Sequence, residues 1–455
     1  MKLMLSRSLV LLVIAFVLVG GMALFVFNYF TSASSWAHFP TNRHIYADGE
    51  FASSATIYDR SGDILVNFDG QSRQFHQNPE VRTALMHATG DMEDNVATGA
   101  QVAFRPRLSG WNLVNGLFNI DDSTLPGEDI TMTLDASLSA VAHRQLAGRR
   151  GAVGVYNYET GEILCMVSSP SFDPVNPPAS AGDGEELDGA YINRFLSATY
   201  TPGSIFKMVT TAAAIENIED IEEKRFYCEQ VKQVGDDVIT CLSSCGETNL
   251  EQALANSCNV AFAEIALELG AGTIQRYANS AGFNSALKVN GIPTAKGRVD
   301  TSDAVGADLA WAGIGQYTNT ANPLNFMALM GAIANDGVMI EPTLLQNEGL
   351  FSSLVGSVFN RSRVYSRHTA SELEQMMRNN FQSYFGTEYY SHLNICAKSG
   401  TAEVGGDRRP HAWYAGYMDR DDYPLAFVVL IENGGSGSRV AAPVAINVLQ
   451  AAVGQ

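Results

Sequence analysis

The sequence is short of basic side chains. Its 455 residues contain 29 Lys and Arg against 48 Asp and Glu, which gives a formal net charge of −19. Lys and Arg are nowhere concentrated into a stripe, so the phosphate contacts that nucleic-acid binding requires are missing and we expect no nucleic-acid partner. Charged residues make up only 17% of the chain, which argues against global disorder.

Other signals are missing as well. The composition lacks the bias of collagen-like, low-complexity or coiled-coil chains, and there are no internal repeats. The eight histidines show no His-Glu-x-x-His spacing, and six cysteines in this length leave the redox compartment open. At about 150 residues per domain, the length predicts two or three domains.

A single long apolar run is present, at the start of the chain. Lys2 and Arg7 precede Leu9–Phe27, and about 20 apolar residues suffice to span a bilayer core. We predict that residues 1–30 form a cytoplasmic tip and an uncleaved transmembrane anchor, with the remainder outside the cytoplasm. A cleavable signal peptide is the alternative, because small residues follow at 31–37, although its apolar region is usually only about 7–15 residues long.

Strand patterns lie towards both ends of the remaining chain, and helical patterns lie between them. Strands are predicted on either side of Ser61-Gly62, in a hairpin over 151–169, and at 395–404, 411–418 and 425–432. Helices are predicted from Asp135 to Leu146, through most of 203–337, and at 441–453. Within the middle part, Thr248 and Glu251 have the spacing of a capping box. This order predicts an α+β body whose sheet joins distant segments.

The first motif that indicates chemistry is Ser204-x-x-Lys207, directly after Pro202-Gly203. The helical pattern that follows places Ser204 at a helix N-terminus, where the helix dipole favours a developing alkoxide. Lys207 lies one turn along the same face, so its amine can reach the serine hydroxyl and act as its base. Burial would lower the lysine pKa enough for that role.

Two further motifs supply polar groups of complementary kinds. Ser257 and Asn259, two residues apart in a turn, present a hydroxyl and an amide. Lys398-Ser399-Gly400-Thr401 lies on a predicted strand, where Lys398 and Ser399 can bind a carboxylate and Gly400 lets a substrate approach the backbone. The backbone N–H groups of Ser204 and Thr401 are candidates for an oxyanion hole.

The order of these three motifs resembles that of β-lactamases and penicillin-binding proteins. Longer stretches are similar to the transpeptidase domains of class B penicillin-binding proteins, short type: 198–204, 397–403, 411–417, 169–174 and 432–435. The resemblance implies the penicillin-binding fold, an antiparallel sheet with helices on both faces and a mostly helical subdomain. It also implies a non-catalytic, β-rich pedestal over 31–130 and a transpeptidase domain over 131–455.

The activity that the resemblance implies is D,D-transpeptidation of peptidoglycan pentapeptide stems. Ser204 would form the acyl-enzyme, also with β-lactams, and Lys207 would be its base. Ser257 would relay a proton, Asn259 would hold the acyl side chain, and Lys398 with Ser399 or Thr401 would bind the terminal carboxylate. The family usually works with a membrane glycosyltransferase, which we expect as a partner, and no cofactor is implied.

Three alternatives to a transpeptidase remain. A β-lactamase of the same fold needs a base that activates water, but no Glu lies between Glu268 and Glu341. A β-lactam sensor would be expected to carry further transmembrane segments. A non-catalytic cell-wall scaffold would not need the complete set of motif residues.

Four of the six cysteines lie close in sequence. Cys228, Cys241, Cys245 and Cys258 are spaced 13, 4 and 13 residues apart, which superficially suggests four metal-binding thiolates. Because Cys258 lies inside the second motif, we predict no metal and favour a disulfide between Cys228 and Cys241 outside the membrane. An organism that grows without oxygen could keep both thiols reduced. Cys165 and Cys396 are predicted to be core residues.

Overall fold

The structure, a computed structural model, describes residues 2–37, 55–68, 72–110, 127–178, 187–242, 244–346 and 361–454. Contacts divide the chain into two compact units. The first comprises Met1–Tyr58, Ile64–Phe75 and Phe104–Ile130, and the second comprises Asp59–Asp63, His76–Ala103 and Thr131–Gln455. The domain limits 31–130 and 131–455 stay a prediction, and parts of the predicted pedestal, at 38–54, 69–71 and 111–126, lie outside the described residues.

The first helix, α1 (Lys2–Ala37), contains the predicted anchor. Its segment Arg7–Asn28 has a mean hydropathy of 3.0 and is the one helix among the described residues that is long and apolar enough to cross a membrane. None of its described side chains is buried, which is unfavourable for large apolar groups in water. This helix fits a single-pass membrane protein.

A small antiparallel sheet follows α1 in the chain. Its strand order is β3-β2-β1-β4, and the predicted strands on either side of Ser61-Gly62 are confirmed as β1 and β2. The elements that follow α1, up to residue 131, are β1 (Thr56–Tyr58), β2 (Ile64–Phe68), β3 (Arg73–Phe75), α2 (Pro79–Thr89), α3 (Ala100–Ala103), α4 (Arg105–Leu108) and β4 (Ile130–Thr131).

A five-stranded antiparallel sheet is the centre of the second unit. Its order is β15-β16-β17-β5-β6, so strands from the two ends of the unit lie side by side, as the sequence predicts. Helices α5 and α12 pack on one face and α10 on the other. The elements are α5 (Ala136–Leu146), β5 (Gly151–Asn157), β6 (Ile163–Ser169), β15 (Ile395–Ala402), β16 (His411–Met418), β17 (Leu425–Ile431), α10 (Pro323–Ala334) and α12 (Ala442–Ala452).

The segment between β6 and β15 is less uniformly helical than its pattern predicts. Its described residues include four two-stranded sheets whose strands are only two to four residues long, too short to produce a periodic signal. The helices are α6 (Lys207–Asn217), α7 (Leu250–Ala255), α8 (Asn259–Ser280), α9 (Ala307–Ile314) and α11 (Arg367–Phe385). The strands are β7 (Phe226–Cys228), β8 (Val231–Val234), β9 (Asp237–Thr240), β10 (Gly246–Thr248), β11 (Lys288–Val289), β12 (Ile292–Pro293), β13 (Val338–Ile340) and β14 (Arg361–Arg363).

The start of α7 differs from the sequence prediction. The capping box at α7 is formed by Asn249 and Gln252, one residue later than predicted, because Thr248 pairs with Phe226 in the β10–β7 ladder. Gly270 directly follows the apolar helical pattern 259–269, which predicts a helix end there, and this end is confirmed: with φ 75° and ψ 159° the glycine is not helical and divides α8 into two helices. Asp135 caps α5 as predicted, accepting a hydrogen bond from Leu138 N.

Candidate active site

Ser204 lies in a short 3₁₀ turn, Gly203–Phe206, that leads directly into α6. The predicted position at a helix N-terminus is therefore confirmed. Gly203 has φ 56°, and a Cβ there would lie 2.6 Å from the backbone oxygen of Thr401. Only glycine allows the turn to approach strand β15 this closely, and the approach brings the first and third motifs together.

The Lys207 amine is fully buried and contacts the second motif. Its Nζ lies 2.6 Å from Ser257 O, 3.2 Å from Ser257 Oγ and 2.8 Å from Asn259 Oδ1. The sequence predicts that this amine reaches Ser204, one helical turn away. In the described part of the chain its hydrogen bonds go instead to Ser257 and Asn259, because packing of α8 against α6 brings their oxygens to the amine.

The second motif occupies the junction between α7 and α8. Ser257 has φ 51°, a left-handed conformation that is unusual for a residue with a side chain. Asn259 is the first residue of α8, and its Nδ2 donates a hydrogen bond to Thr240 O at 2.8 Å. Both polar atoms of the Asn259 side chain are therefore hydrogen-bonded, Oδ1 to Lys207 and Nδ2 to Thr240 at the end of β9.

Lys398 approaches the same hydroxyl from the sheet. Its Nζ lies 3.3 Å from Ser257 Oγ and 2.8 Å from Ser399 O. Two amines from distant parts of the sequence therefore converge on one serine oxygen. A hydroxyl has two acceptor sites and one donor hydrogen, so with both amines donating, the Ser257 hydrogen is available to a third group.

Burial perturbs both amines in the same direction. It lowers the pKa of Lys207 to about 7, against an opposing effect of the thiols of Cys258, Cys241 and Cys245. The pKa of Lys398 is also lowered to about 7, first by burial and then by the charge of Lys207. Neutral amine is therefore accessible near neutral pH, which an ordinary lysine does not offer.

The third motif lies on β15, at the edge of the five-stranded sheet. Its register with β16 is unbroken from Ile395 to Ala402, so the strand is firmly placed. Ser399 and Thr401 are half-buried and line a cleft, as predicted. The space beside Gly400 is filled by the protein itself, since a Cβ there would lie 2.9 Å from Ile205 Cγ2 and 3.1 Å from Pro202 O.

The cleft has a volume of about 510 Å³ and brings together residues of all three motifs. Sequence reasoning named Ser204, Ser257, Asn259, Ser399 and Thr401, and all five lie in its lining. It assigned no role in catalysis or binding to the remaining lining residues, which lie in β9, in α9 and in segments outside the catalytic motifs: Thr240, Leu242, Asn256, Trp311, Ile314, Gln316, Glu403, Ser436 and Ser438, with Cys241 and Cys245 named only for their thiols.

A buried ionic network fixes the segment that precedes Ser204. Glu432 Oε1 accepts hydrogen bonds from Arg194 Nε at 2.7 Å and from the Tyr200 hydroxyl at 2.9 Å. Trp413 Nε1 donates to Thr201 O at 2.9 Å. These contacts join the approach to the first motif to strands β16 and β17. Sequence similarity marked these stretches, but only the structure shows that they contact one another.

The four clustered cysteines border the second motif. The sulfur atoms of Cys228 and Cys241 lie 3.6 Å apart, well beyond the about 2.05 Å of a disulfide bond. The predicted disulfide stays a prediction. From the sequence we did not favour a site formed by all four cysteines. In the structure, however, the sulfurs of Cys228, Cys241, Cys245 and Cys258 all lie within 4.8 Å of one another. Cys165 and Cys396 are buried core residues, as predicted.

Comparison with known proteins agrees with this geometry. Residues 151–450 match the family model of the penicillin-binding protein transpeptidase domain. The chain is 30% identical over 465 residues to the peptidoglycan D,D-transpeptidase PbpA of Mycobacterium tuberculosis, covering 91% of this chain and 92% of that protein. It is 26% identical to penicillin-binding protein 3 of Bacillus subtilis, over 72% of this chain and 52% of that one.

Solved structures show the same similarity. The ceftriaxone acyl-enzyme complex of penicillin-binding protein A from M. tuberculosis superposes with a TM-score of 0.75 at 25% identity, covering 89% of this chain and 99% of that one. The imipenem acyl-enzyme complex of that protein gives the same TM-score, identity and coverage. The chain therefore belongs to the penicillin-binding protein transpeptidase family, in class B. Its fold is the one that the sequence predicts.

Proposed function

We propose that this chain is a serine-type D,D-transpeptidase that cross-links peptidoglycan stem peptides through an acyl-enzyme on Ser204. The observation that carries the proposal is the convergence of Lys207 Nζ and Lys398 Nζ on Ser257 Oγ, at 3.2 and 3.3 Å, beside a cleft that Ser204 lines. The name of the M. tuberculosis relative, a peptidoglycan D,D-transpeptidase, supports it.

Acylation begins with Ser204. Its Oγ attacks the carbonyl carbon of the penultimate D-Ala, and its proton passes to the neutral amine of Lys207. A lysine whose pKa is lowered to about 7 is a competent base near neutral pH. Because Lys207 is hydrogen-bonded to the second motif in this structure, the proton transfer requires a small movement of the amine or an intervening water, which is common in unliganded sites.

Departure of the terminal D-Ala requires a proton on its nitrogen. The C–N bond breaks as the nitrogen takes a proton from the Ser257 hydroxyl, which recovers one from the adjacent lysines. An amine of a neighbouring stem then attacks the acyl ester, the new amide forms, and the proton of the attacking amine returns through the same groups to Ser204 Oγ. Ser257 is suited to this relay because both amines contact its oxygen.

Substrate recognition is assigned to the third motif and to Asn259. Lys398, with Ser399 or Thr401, binds the terminal carboxylate of the stem. Asn259 has one Nδ2 hydrogen left after its bond to Thr240 O, and that hydrogen can hold the acyl side chain. The backbone N–H groups of Ser204 and Thr401 form the oxyanion hole, which the close approach of Gly203 to Thr401 O supports.

β-Lactams are proposed to acylate the same serine. They carry a strained amide and a carboxylate in the positions that the stem offers. The ceftriaxone and imipenem acyl-enzymes of the M. tuberculosis relative support this assignment.

The anchor determines where the reaction occurs. Lys2 and Arg7 precede the apolar segment, so we assign the N-terminus to the cytoplasm and the transpeptidase domain, residues 131–455, to the outside. Residues 31–130 are assigned to a pedestal that does not take part in catalysis. A membrane glycosyltransferase that polymerises the glycan strands is the partner that such an anchored enzyme requires.

The decisive experiment is labelling with a fluorescent penicillin. Ser204→Ala should abolish the covalent adduct, because it removes the oxygen that is proposed to attack the β-lactam carbonyl. The fold should survive, since Ser204 is only half-buried and the change removes one oxygen atom. Labelling is measured on the purified full-length chain in detergent, together with its melting temperature.

The matched control is Ser285→Ala, an exposed serine outside the cleft lining. This variant should label as the unchanged chain does. Undiminished labelling of Ser204→Ala would refute the nucleophile. Absence of an adduct on the unchanged chain would favour a non-catalytic scaffold, and steady turnover of the drug would favour a β-lactamase.

A further inference from the structure

Four cysteine sulfurs meet beside the second motif. The Sγ atoms of Cys228, Cys241, Cys245 and Cys258 all lie within 4.8 Å of one another. The Cys228–Cys241 and Cys241–Cys258 sulfur distances are 3.6 and 3.8 Å. From this arrangement we propose that the four thiolates bind a single Zn²⁺ ion.

The sulfur separations match a tetrahedral ion. A Zn–S bond is about 2.3 Å long, so two sulfurs at tetrahedral angles lie about 3.8 Å apart. A disulfide would instead bring one pair to about 2.05 Å and would leave the other two cysteines unexplained. Binding releases the thiol protons to solvent as four Zn–S bonds form, and no oxidant is required.

The four ligands come from the ends of four elements. Cys228 ends β7, Cys241 follows β9, Cys245 precedes β10, and Cys258 is the N-cap residue of α8. Cys241 and Cys245 have three residues between them, within the spacing usual for zinc ligands on one loop. A single ion would therefore tie two small sheets to the first turn of a long helix.

The regular structure around the cysteines is small. The described residues of 226–248 form two-stranded sheets, and such sheets are marginally stable without support. Several of their large apolar side chains face solvent, Tyr227 at 65%, Val231 at 55% and Leu242 at 95% exposure. Cys228, Cys241 and Cys258 are buried, together with the apolar side chains of Phe226 and Ile239. A structural ion would add its stabilisation to that of these few buried apolar side chains.

Backbone N–H groups surround the sulfurs in the manner expected of thiolate ligands. Cys241 Sγ accepts hydrogen bonds from Asn259 N at 3.0 Å and Val260 N at 3.3 Å. Cys258 Sγ accepts one from Ala261 N at 3.4 Å. Such outer contacts orient metal ligands and stabilise their negative charge.

The ion would act on the chemistry only through position. Cys258 lies between Ser257 and Asn259, and Cys241 follows Thr240, whose oxygen holds the Asn259 amide. The metal would therefore fix the second motif against Lys207 without contacting substrate. This consequence rests on the proposed function, whereas metal binding does not.

Metal content tests the proposal directly. The full-length chain is purified in detergent under reductant, with zinc in the growth medium and no chelator, and its zinc is counted by elemental analysis. We expect one zinc per chain. After replacement by Co²⁺, the absorption spectrum should show the bands of a tetrahedral tetrathiolate site.

Cysteine variants locate the ion. Cys228→Ala should lose zinc, while Cys165→Ala, at an equally buried cysteine in β6, should retain one per chain. Should Cys228→Ala fail to fold, the unchanged chain decides the matter through its zinc content and cobalt spectrum. No stoichiometric zinc on the unchanged chain, or zinc retained in full by Cys228→Ala, overturns the proposal.

A preparation without reductant distinguishes zinc binding from a disulfide. The intact mass of the denatured chain should then show six free thiols after zinc is removed. A mass two hydrogens lower, with a disulfide mapped between Cys228 and Cys241, overturns the proposal in favour of the covalent link. Chelation should also slow penicillin labelling. If the untreated chain holds one zinc and removal of that zinc by a chelator leaves the labelling rate unchanged, only the positional consequence is refuted.

Discussion

The second and third motifs of this cleft are held in different ways. Ser257 and Asn259 stand where two helices meet, on a left-handed residue and a helix end, and their positions depend on side-chain contacts. The residues Lys398 to Thr401 lie on β15, where a continuous ladder with β16 fixes each of them. Backbone pairing positions the residues of a strand, whereas the residues of the helix junction need side-chain contacts to hold them in place.

Lys207, beside the second motif, and Lys398, in the third, show how this difference affects the reactivity of the two amines. Lys207 and Lys398 are equally buried, and burial lowers the pKa of each to about 7. Their partners differ, since Lys207 meets three oxygens of the second motif while Lys398 meets Ser257 Oγ and its own strand. Burial is therefore the main reason that both amines have a lowered pKa, and their different hydrogen-bond partners assign their roles.

After loss of the nucleophile, the largest effect on the acylation rate is expected at Lys207, which contacts the second motif at the helix junction. Lys207→Ala should slow acylation by penicillin about 10²–10⁴-fold, the usual contribution of a general base. Stopped-flow or gel-based labelling rates on the full-length chain measure it. Lys288→Ala, at an exposed lysine on β11, is the control and should acylate normally. A Lys207→Ala variant that is folded and acylates at the normal rate would transfer the base role to Lys398.

A smaller, pH-dependent effect on peptide binding is expected at Lys398, which lies on β15. Lys398→Gln should weaken binding of a peptide ending in D-Ala-D-Ala about 10–100-fold, because a hydrogen bond to a charged group is lost. Equilibrium binding to Ser204→Ala measures this without chemistry.

The pH dependence follows from the sign of the charge. Lys398 is cationic below its pKa of about 7, so peptide binding to Ser204→Ala should weaken as pH rises through that value. The groups that face this amine are Ser257 Oγ, Ser399 O and the amine of Lys207. Binding to the double variant with Lys398→Gln should depend less steeply on pH, with the remaining dependence due to Lys207, whose pKa is also about 7. An equally steep dependence in both chains would assign the titration to another group.

The smallest effect tests the contact between the first motif and β15. Gly203→Ala should destabilise the chain by about 1–3 kcal/mol, because alanine is strained at φ 56° and its Cβ would lie 2.6 Å from Thr401 O. Thermal or denaturant unfolding measures it. Gly235→Ala shares a positive φ of 63° but has no atom within 4 Å of its Cβ, so it isolates the contribution of the backbone. Equal losses in the two variants would show that the approach to β15 is unimportant.

Much of the fold could be predicted from the sequence because its signals are local. The apolar segment of α1, the hairpin of β5 and β6 and the three C-terminal strands have clear periodicity and turn residues. The short strands β7 to β12 could not be predicted, since two to four residues carry no period. The capping box at α7 was placed one residue early because Thr248 and Asn249 are both good caps, and only pairing of Thr248 with Phe226 decides between them.

The sequence by itself determined which chemical groups are present and in what order. Ser204, Lys207, Ser257, Asn259 and Lys398 are recognisable because their types and spacings are rarely combined by chance. Tertiary structure decided which of them meet. It directed Lys207 to Ser257 and Asn259, brought Lys398 to the same hydroxyl, and gathered four cysteines from separate element ends. Such distances depend on how helices and strands pack across the chain, and residue order does not specify them.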